Sequence, residues 1–154
     1  MQDYFKEGSY MYDLTGKCVL VTGASRGIGA ATAKALGEAG AIVIAHFGTH
    51  RVGAEEALSS LPDDRKFFLQ ADLAQPGSGR SLFREALLLV PRIDILVNNA
   101  AINVETPFEG DDELWDTNWT QTMQVNVLEA SSIIRESVQH FLPRGGGVII
   151  SMSS

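Results

Sequence analysis

Three glycines, Gly23, Gly27 and Gly29, lie between an apolar run and an Ala-rich segment. The run 18–21 is typical of a buried strand, and the segment 30–36 is typical of a helix. Glycines at such a strand-to-helix turn allow positive φ angles and leave no Cβ in the way of a ligand. The start of the helix presents unpaired N–H groups and the positive end of the helix dipole, which suit a pyrophosphate. The stretch therefore predicts a nucleotide site with the spacing G-x-x-x-G-x-G.

Strand and helix patterns alternate along the chain around this stretch. Strands are predicted at 17–22, 41–46, 66–70, 93–97 and 148–152, and helices at 27–38, 52–60, 80–90 and 116–142. The second strand is apolar without alternation, as in a parallel sheet that is covered on both faces. The alternation predicts an α/β fold of the Rossmann type, with a doubly wound parallel sheet in the order 3-2-1-4-5 and three layers, α/β/α. The glycine-rich loop, residues 22–29, would then lie at the switch point of the sheet, where the strand order reverses and ligands bind.

The composition narrows the class of protein. The chain has 154 residues, 45% of them apolar and 20% charged, which is typical of one folded domain. The net charge of −7 argues against a nucleic-acid partner. No apolar run approaches 18 residues and the acidic start is unlike a signal peptide, so no membrane span is expected. The single cysteine, Cys18, indicates a reducing compartment and hence a cytoplasmic protein. No cluster has metal-ligand spacing, so no metal is expected.

The chain is predicted to divide into a leader, 1–15, and a dinucleotide-binding domain, 16–154. In the domain's longest helix, an apolar stripe recurs at steps of three to four residues and comprises Trp119, Met123, Val127, Ala130, Ile134, Val138 and Phe141. Asn126 interrupts an apolar pair in this helix and is predicted to point inward. The acidic stretch 105–116 before it is predicted to be a solvated loop. His46 and His140 are predicted to be structural.

Four motifs, in this order, resemble those of the short-chain dehydrogenase/reductase family. They are Thr22-Gly23-x-x-x-Gly27-x-Gly29, Asp72 after the third strand, Asn98-Asn99-Ala100-Ala101 after the fourth, and Val125-Asn126-Val127 followed by 150–154. Together they cover residues 14–154. The family usually has glycine in place of Ala101, so this chain places an additional methyl group close to the cofactor or the active site. The 3-oxoacyl-carrier-protein reductases and the sugar or polyol dehydrogenases of the family share these motifs.

The resemblance implies a role for each matching residue. Ten residues match positions that bind the cofactor in the family and would form the nucleotide site: Gly23, Ser25, Arg26, Gly27, Ile28, Gly29, Asp72, Leu73, Asn99 and Ala100. Among them, Asp72 and Leu73 would touch the adenine, and Asn99 and Ala100 would lie along the adenosine ribose. Asn126 matches the asparagine that helps to hold a proton-relay water. Ser154 matches the serine that binds the substrate carbonyl, with Ser153 as the substitute if the register differs by one.

The family's Tyr-x-x-x-Lys pair, which follows that serine, does not occur in this chain. None of its tyrosines, Tyr4, Tyr10 and Tyr12, has a lysine four residues later. In the family the tyrosine is the general acid/base and the lysine lowers its pKa. We therefore expect the sequence to stop before the Tyr-x-x-x-Lys pair and the substrate segment, and expect this chain alone to be inactive. It would be the first part of a protein of ordinary family length, a deliberately cut piece of one, or a natural half-length relative.

The turn after the second strand bears on the choice of nicotinamide. Phe47 stands where an acidic residue would bind the ribose 2′-OH of NAD(H). Arg26 and Arg51 flank the site, and Thr49 and His50 could add hydrogen bonds. A guanidinium suits a phosphate dianion, so NADP(H) is preferred, with NAD(H) as the other candidate. Alternatively, Arg51 caps the next helix or faces water.

The expected activity is hydride transfer between the nicotinamide and a small alcohol or carbonyl substrate. The resemblance also implies a homodimer or homotetramer, formed through the long helix. One alternative is a half-length nucleotide-binding module without catalysis. A methyltransferase on the same fold is another, weaker alternative.

Overall fold

Five parallel strands form one sheet in a computed structural model that describes residues 12–153. They are β1 Cys18–Val21, β2 Ile42–Phe47, β3 Lys66–Gln70, β4 Ile95–Asn98 and β5 Val148–Ser151. Their order is β3-β2-β1-β4-β5. The predicted Rossmann-type topology is therefore confirmed. Most of the predicted leader, up to residue 11, and the predicted catalytic Ser154 lie outside the described residues.

The central strand β1 is paired on both sides. Its residue Leu20 lies opposite Ile44 of β2 and Leu96 of β4. The chain first adds strands on one side of β1, then crosses over and adds β4 and β5 on the other. The loop after β1 therefore lies where the sheet order reverses, which is the ligand-binding position of open parallel sheets.

Helices cover both faces of the sheet. They are α1 Gly27–Glu38, α2 Arg51–Ala57, α3 Ser78–Leu89, α4 Asp112–Met123 and α5 Ala130–Phe141, with a π-helical segment Gln124–Glu129 between the last two. Short 3₁₀ turns occur at Asp63–Arg65 and Leu142–Arg144. Alternate residues of β1 serve two cores, since Leu20 packs with α3 and α5, and Val19 and Val21 pack with α1 and α2. These are the three predicted layers.

The long helix begins earlier than predicted and is not regular throughout. Asp111 lies at its N-cap, where the carboxylate accepts a hydrogen bond of 2.7 Å from the N–H of Leu114. An aspartate in this position stabilises the first turn. The helix therefore starts within the acidic stretch that the sequence analysis assigned to a loop.

The predicted apolar stripe of this helix does not form a single packed face. Trp119 and Met123 are 48% and 47% exposed, and Val127 and Val138 are also exposed, whereas Ile133 is fully buried. The stripe is thus exposed before, within and after the π-helical segment, and its last residue, Phe141, is buried.

Glu129, at the end of the π-helical segment, connects the long helix to α3. Its side chain is 2% exposed and accepts hydrogen bonds from the N–H groups of Gly77 and Gly79, at 2.8 and 2.7 Å. Gln124 donates a third, at 2.8 Å. The carboxylate thus satisfies N–H groups at the start of α3 and lies at the positive end of its dipole. This contact fixes the π-helical segment, which carries Asn126, against the body of the domain.

Candidate cofactor site

A cleft of about 440 Å³ lies at the carboxyl ends of the strands, beside the loop after β1. It brings together most of the residues that the sequence assigned to the nucleotide site. The predicted residues that line it are Gly23, Ser25, Arg26, Ile28, Gly29, Thr49, Asp72, Leu73, Asn99 and Ala100. The loops that follow four strands, β1, β2, β3 and β4, therefore converge on one cleft.

The glycine-rich loop has one open side and one packed side. Gly27 has a φ of +55°, which favours glycine, and a Cβ there would meet no atom within 4 Å. Gly29 is packed, since a Cβ would lie 2.2 Å from the carbonyl oxygen of Gly23 and 2.4 Å from Nδ2 of Asn99. The loop thus leaves room for a ligand at Gly27 and holds α1 close to the sheet at Gly29.

The start of α1 suits a phosphate group. The helix begins at Gly27 after Arg26, which makes no side-chain capping bond, and the first turn carries no acidic residue. Backbone N–H groups at a helix start need acceptors, and the helix dipole favours an anion there. The open side at Gly27 lies at this same helix start, so the residues present fit a dinucleotide pyrophosphate.

Thr22 and Asn99 tie the ends of β1 and β4 together. The buried Thr22 hydroxyl accepts hydrogen bonds of 2.9 Å from the N–H groups of both Asn99 and Ala100. In return, the Asn99 amide donates to the carbonyl oxygens of Thr22 and Gly23, at 2.9 and 3.2 Å. The Asn99 Nδ2 therefore holds the glycine-rich loop in shape. Its contribution to the cleft is to fix the backbone along which a ligand would lie.

Asp72 and Leu73 form a turn on the opposite rim. The Asp72 carboxylate accepts hydrogen bonds from the N–H of Ala74, at 3.0 Å, and from the side-chain amide of Gln75, at 3.3 Å. Leu73 is buried and packs into the core. The carboxylate thus shapes the loop after β3, and both residues border the cleft.

The two histidines accept hydrogen bonds from backbone N–H groups. His46 accepts one of 3.1 Å at Nδ1 from Gly23, and its Nε2 lies 3.1 Å from the carbonyl oxygen of Ala71. His140 accepts one of 3.2 Å at Nε2 from Ile93. Burial is the main cause that lowers the pKa of each imidazole below its usual value. Both rings thus have the structural contacts that the sequence analysis predicted for them.

The structure separates the two arginines that the sequence proposed for a phosphate. Arg26 borders the cleft, as do Thr49 and His50. Arg51 does not line it, and its Nε lies 2.7 Å from the carboxylate of Glu55, one turn along α2. Arg51 is the first residue of α2 and is paired within that helix, so the clamp with two arginines stays a prediction in which only Arg26 borders the cleft.

Asn126 holds the loop after β4. Its Oδ1 accepts a hydrogen bond of 2.9 Å from the N–H of Ile102, and its Nδ2 donates one of 2.8 Å to the carbonyl oxygen of Ile102. The side chain is partly buried, in agreement with the predicted inward orientation. Because both ends of the amide are used, Asn126 positions a loop that borders the cleft at Ile102.

Known proteins resemble this chain in both sequence and fold. The sequence profile of the family described as short chain dehydrogenase matches residues 17–154. The chain belongs to the short-chain dehydrogenase family. The earlier resemblance is thereby confirmed. The 3beta-hydroxysteroid dehydrogenase 1 of Eggerthella lenta is 36% identical to this short-chain dehydrogenase over 148 residues, which are 94% of this chain and 56% of that protein.

Solved structures give the same result. The NADP active-site complex of Pseudomonas aeruginosa RhlG has a TM-score of 0.78 and 31% identity to this short-chain dehydrogenase, covering 92% of this chain and 56% of that chain. The 3-oxoacyl (acyl-carrier-protein) reductase of Agrobacterium tumefaciens with NADP bound has a TM-score of 0.79 and 30% identity, covering 92% and 54%. The chain therefore spans little more than half the length of these proteins.

Within residues 12–153, no helix has the length and apolar character needed to cross a membrane. Over the same range, no group of three or more His, Cys, Asp or Glu side chains could hold a metal ion.

Proposed function

We propose that this short-chain dehydrogenase binds NADP(H) and takes part in hydride transfer between the nicotinamide and a small alcohol or carbonyl substrate. The observation that carries the proposal is the composition of the cleft. It joins an uncapped helix start to Arg26, and the turn after β2 contributes Gly48, Thr49 and His50 but no carboxylate. A carboxylate in this turn would bind the 2′-OH of NAD(H), whereas a guanidinium suits a 2′-phosphate. The two NADP-bound relatives support the same choice.

Each part of the cleft then has a separate task. The N–H groups at the start of α1 bind the pyrophosphate, and Arg26 binds the 2′-phosphate. The loop after β3, at Asp72 and Leu73, borders the adenine. Asn126, which matches the family's active-site asparagine, fixes the loop at Ile102, which borders the cleft. NADP(H), when bound, supplies or accepts the hydride.

The remaining chemistry is assigned by family pattern. Ser154 would bind the substrate oxygen, and a Tyr-x-x-x-Lys pair beyond this sequence would move the proton between that oxygen and solvent. We propose that residues 16–154 are the dinucleotide-binding part of a longer protein. The exposure of the sheet at β5 supports this, since Val148 is 50% exposed and Ile150 is also exposed. Apolar side chains on an edge strand are normally covered by further structure.

Assembly and location follow the family expectation. Trp119, Met123 and Val127 expose apolar surface on the long helix, and we propose that a second copy covers it in a homodimer or homotetramer. A cytoplasmic location agrees with the unpaired, buried Cys18. The half-length module without catalysis is the second candidate. It predicts nucleotide binding without turnover. Family membership removes the methyltransferase alternative.

The effect of Arg26 on cofactor choice tests the proposal. Arg26→Ala is expected to weaken NADPH binding roughly 10- to 100-fold, as the loss of a hydrogen bond to a charged group predicts. NADH binding should change by less than about threefold, since NADH has no 2′-phosphate for the guanidinium to bind. Arg51→Ala is the matched control, because Arg51 is paired with Glu55 outside the cleft. Dissociation constants from fluorescence titration give both values. An equal loss for NADPH and NADH in Arg26→Ala would contradict the assignment of Arg26 to the 2′-phosphate.

A further inference from the structure

We propose that His46 is a positioning residue for the cofactor, and that nucleotide affinity depends on its imidazole remaining neutral. The proposal rests on the proposed function, since it concerns the same cleft. It assigns to one buried side chain the relative position of the two loops that would hold the pyrophosphate and the adenine.

His46 lies at the point where these two loops meet. It is 2% exposed, at the end of β2, between the central strand and β3. Its Nδ1 accepts a hydrogen bond from Gly23, the first glycine of the glycine-rich loop, and its Nε2 reaches the carbonyl oxygen of Ala71, directly before Asp72. A single ring therefore links the phosphate side of the cleft to the adenine side.

The two hydrogen bonds require one protonation state and one tautomer. The N–H of Gly23 can only donate and the carbonyl of Ala71 can only accept, so Nδ1 must be bare and Nε2 must carry the hydrogen. An imidazolium would present N–H groups at both positions. Nδ1–H would then face the Gly23 N–H, and the bond to the glycine-rich loop would be lost.

The surroundings of the ring oppose its charge. Burial lowers the pKa of His46 below its usual value, and the hydrogen bond to Ala71 offsets part of this effect. The charged or titratable side chains that line the same cleft are Arg26 from the glycine-rich loop, His50 from the turn after β2 and Asp72 from the loop after β3. The Asp72 carboxylate is engaged with Ala74 and Gln75. Nucleotide affinity should therefore be highest while the ring is neutral and should weaken as the pH falls through the lowered pKa of His46.

Backbone hydrogen bonds also join the two loops to β2 independently of the ring. The carbonyl oxygen of His46 accepts a bond of 2.8 Å from the N–H of Ala24, and that of Phe47 accepts one of 3.2 Å from Ala71. Losing the imidazole contacts should therefore loosen the two loops in part while the strand pairing persists. This separates a positioning role from a purely structural one.

The test measures the pH dependence of NADP⁺ binding with and without a titrating ring. His46→Asn keeps an acceptor near the Nδ1 position but cannot take up a proton in this range. The protein that retains His46 and the His46→Asn variant both also carry His50→Asn, so that the other imidazole of the cleft does not contribute to the pH dependence. The ionisation of the NADP⁺ phosphate affects both proteins equally. Calorimetric titrations are run from pH 7.5 to pH 5.0, and circular dichroism checks that each protein stays folded.

We expect the affinity of the protein that retains His46 to fall more than that of His46→Asn towards the lower end of this range, by at most about tenfold, the equivalent of one lost hydrogen bond. His46→Leu, which has no acceptor, should bind weakly at every pH. Parallel pH profiles for the protein that retains His46 and for His46→Asn, or unchanged affinity in His46→Leu, would overturn the proposal. Failure of the unaltered protein to bind NADP⁺ at pH 7.5 would overturn the proposed function instead.

Discussion

Replacing Gly29 by alanine is expected to lower the free energy of unfolding by about 3 kcal/mol, at the upper end of overpacking effects, and to remove tight nucleotide binding. The new Cβ would lie 2.2 Å from the Gly23 carbonyl oxygen and 2.4 Å from the Asn99 amide. Neither neighbour can move freely, because Asn99 also bonds to the backbone of Thr22. The start of α1 would therefore be pushed away from the sheet, and the helix N–H groups would lose their place beside the cleft.

Gly37→Ala is the matched control for this prediction. It lies in the same helix, and its Cβ would also meet an atom at 2.2 Å, but that atom is the end of the Leu61 side chain. A side chain can adjust its rotamer, and alanine favours helix by about 1 kcal/mol over glycine. Urea denaturation should show Gly37→Ala within about 1 kcal/mol of the unaltered protein. Equal stability of the two variants would contradict the close approach of α1 at Gly29.

Thr22→Val is expected to lower the free energy of unfolding by roughly 2–4 kcal/mol, because each unsatisfied buried donor costs about 1–3 kcal/mol. Valine has nearly the same shape but cannot accept the hydrogen bonds from the N–H groups of Asn99 and Ala100. The ends of β1 and β4 would separate, and nucleotide affinity should fall with stability.

Thr22→Ser keeps the hydroxyl and loses only a buried methyl group, which is worth about 1 kcal/mol. Thermal or urea unfolding of the three proteins should therefore rank the unaltered protein first, Thr22→Ser second and Thr22→Val last. If Thr22→Ser were as unstable as Thr22→Val, the assigned hydrogen bonds would be contradicted, because serine retains the hydroxyl that accepts them.

The regular elements follow from local sequence, and several match the sequence interpretation closely. The bounds of α1 and β3 are those predicted, because an Ala-rich helix after glycines and a short aromatic strand are strong local patterns. The start of α4 was missed, although Asp111 followed by acidic residues is a recognisable N-terminal signal. The π-helical segment has no such signal, and it depends on contacts such as those of Glu129 with the start of α3.

The sequence predicts which types of residue lie at the site, but it does not predict which residues they contact. The glycine pattern indicated a phosphate site. The sequence alone makes Arg26 and Arg51 equal candidates for binding the phosphate, and only the structure shows the Glu55 carboxylate beside Arg51. Thr22 and His46 form the bonds that shape the cleft, and both are buried polar residues at the ends of strands. Polar residues at the ends of strands, beside the point where the sheet order reverses, indicate side chains that shape a ligand site. Their partners lie many residues away in the chain, so the sequence alone does not identify them.

Calorimetric titration of the protein with NADPH, and in parallel with NADH, tests most directly whether the cleft is a dinucleotide site. We expect saturable binding of one nucleotide per chain, with NADPH bound at least about tenfold more tightly than NADH, because Arg26 is proposed to bind the 2′-phosphate. If neither NADPH nor NADH binds at about 1 mM, the free energy of binding is weaker than about −4 kcal/mol. That result would contradict the assignment of the cleft as a dinucleotide site.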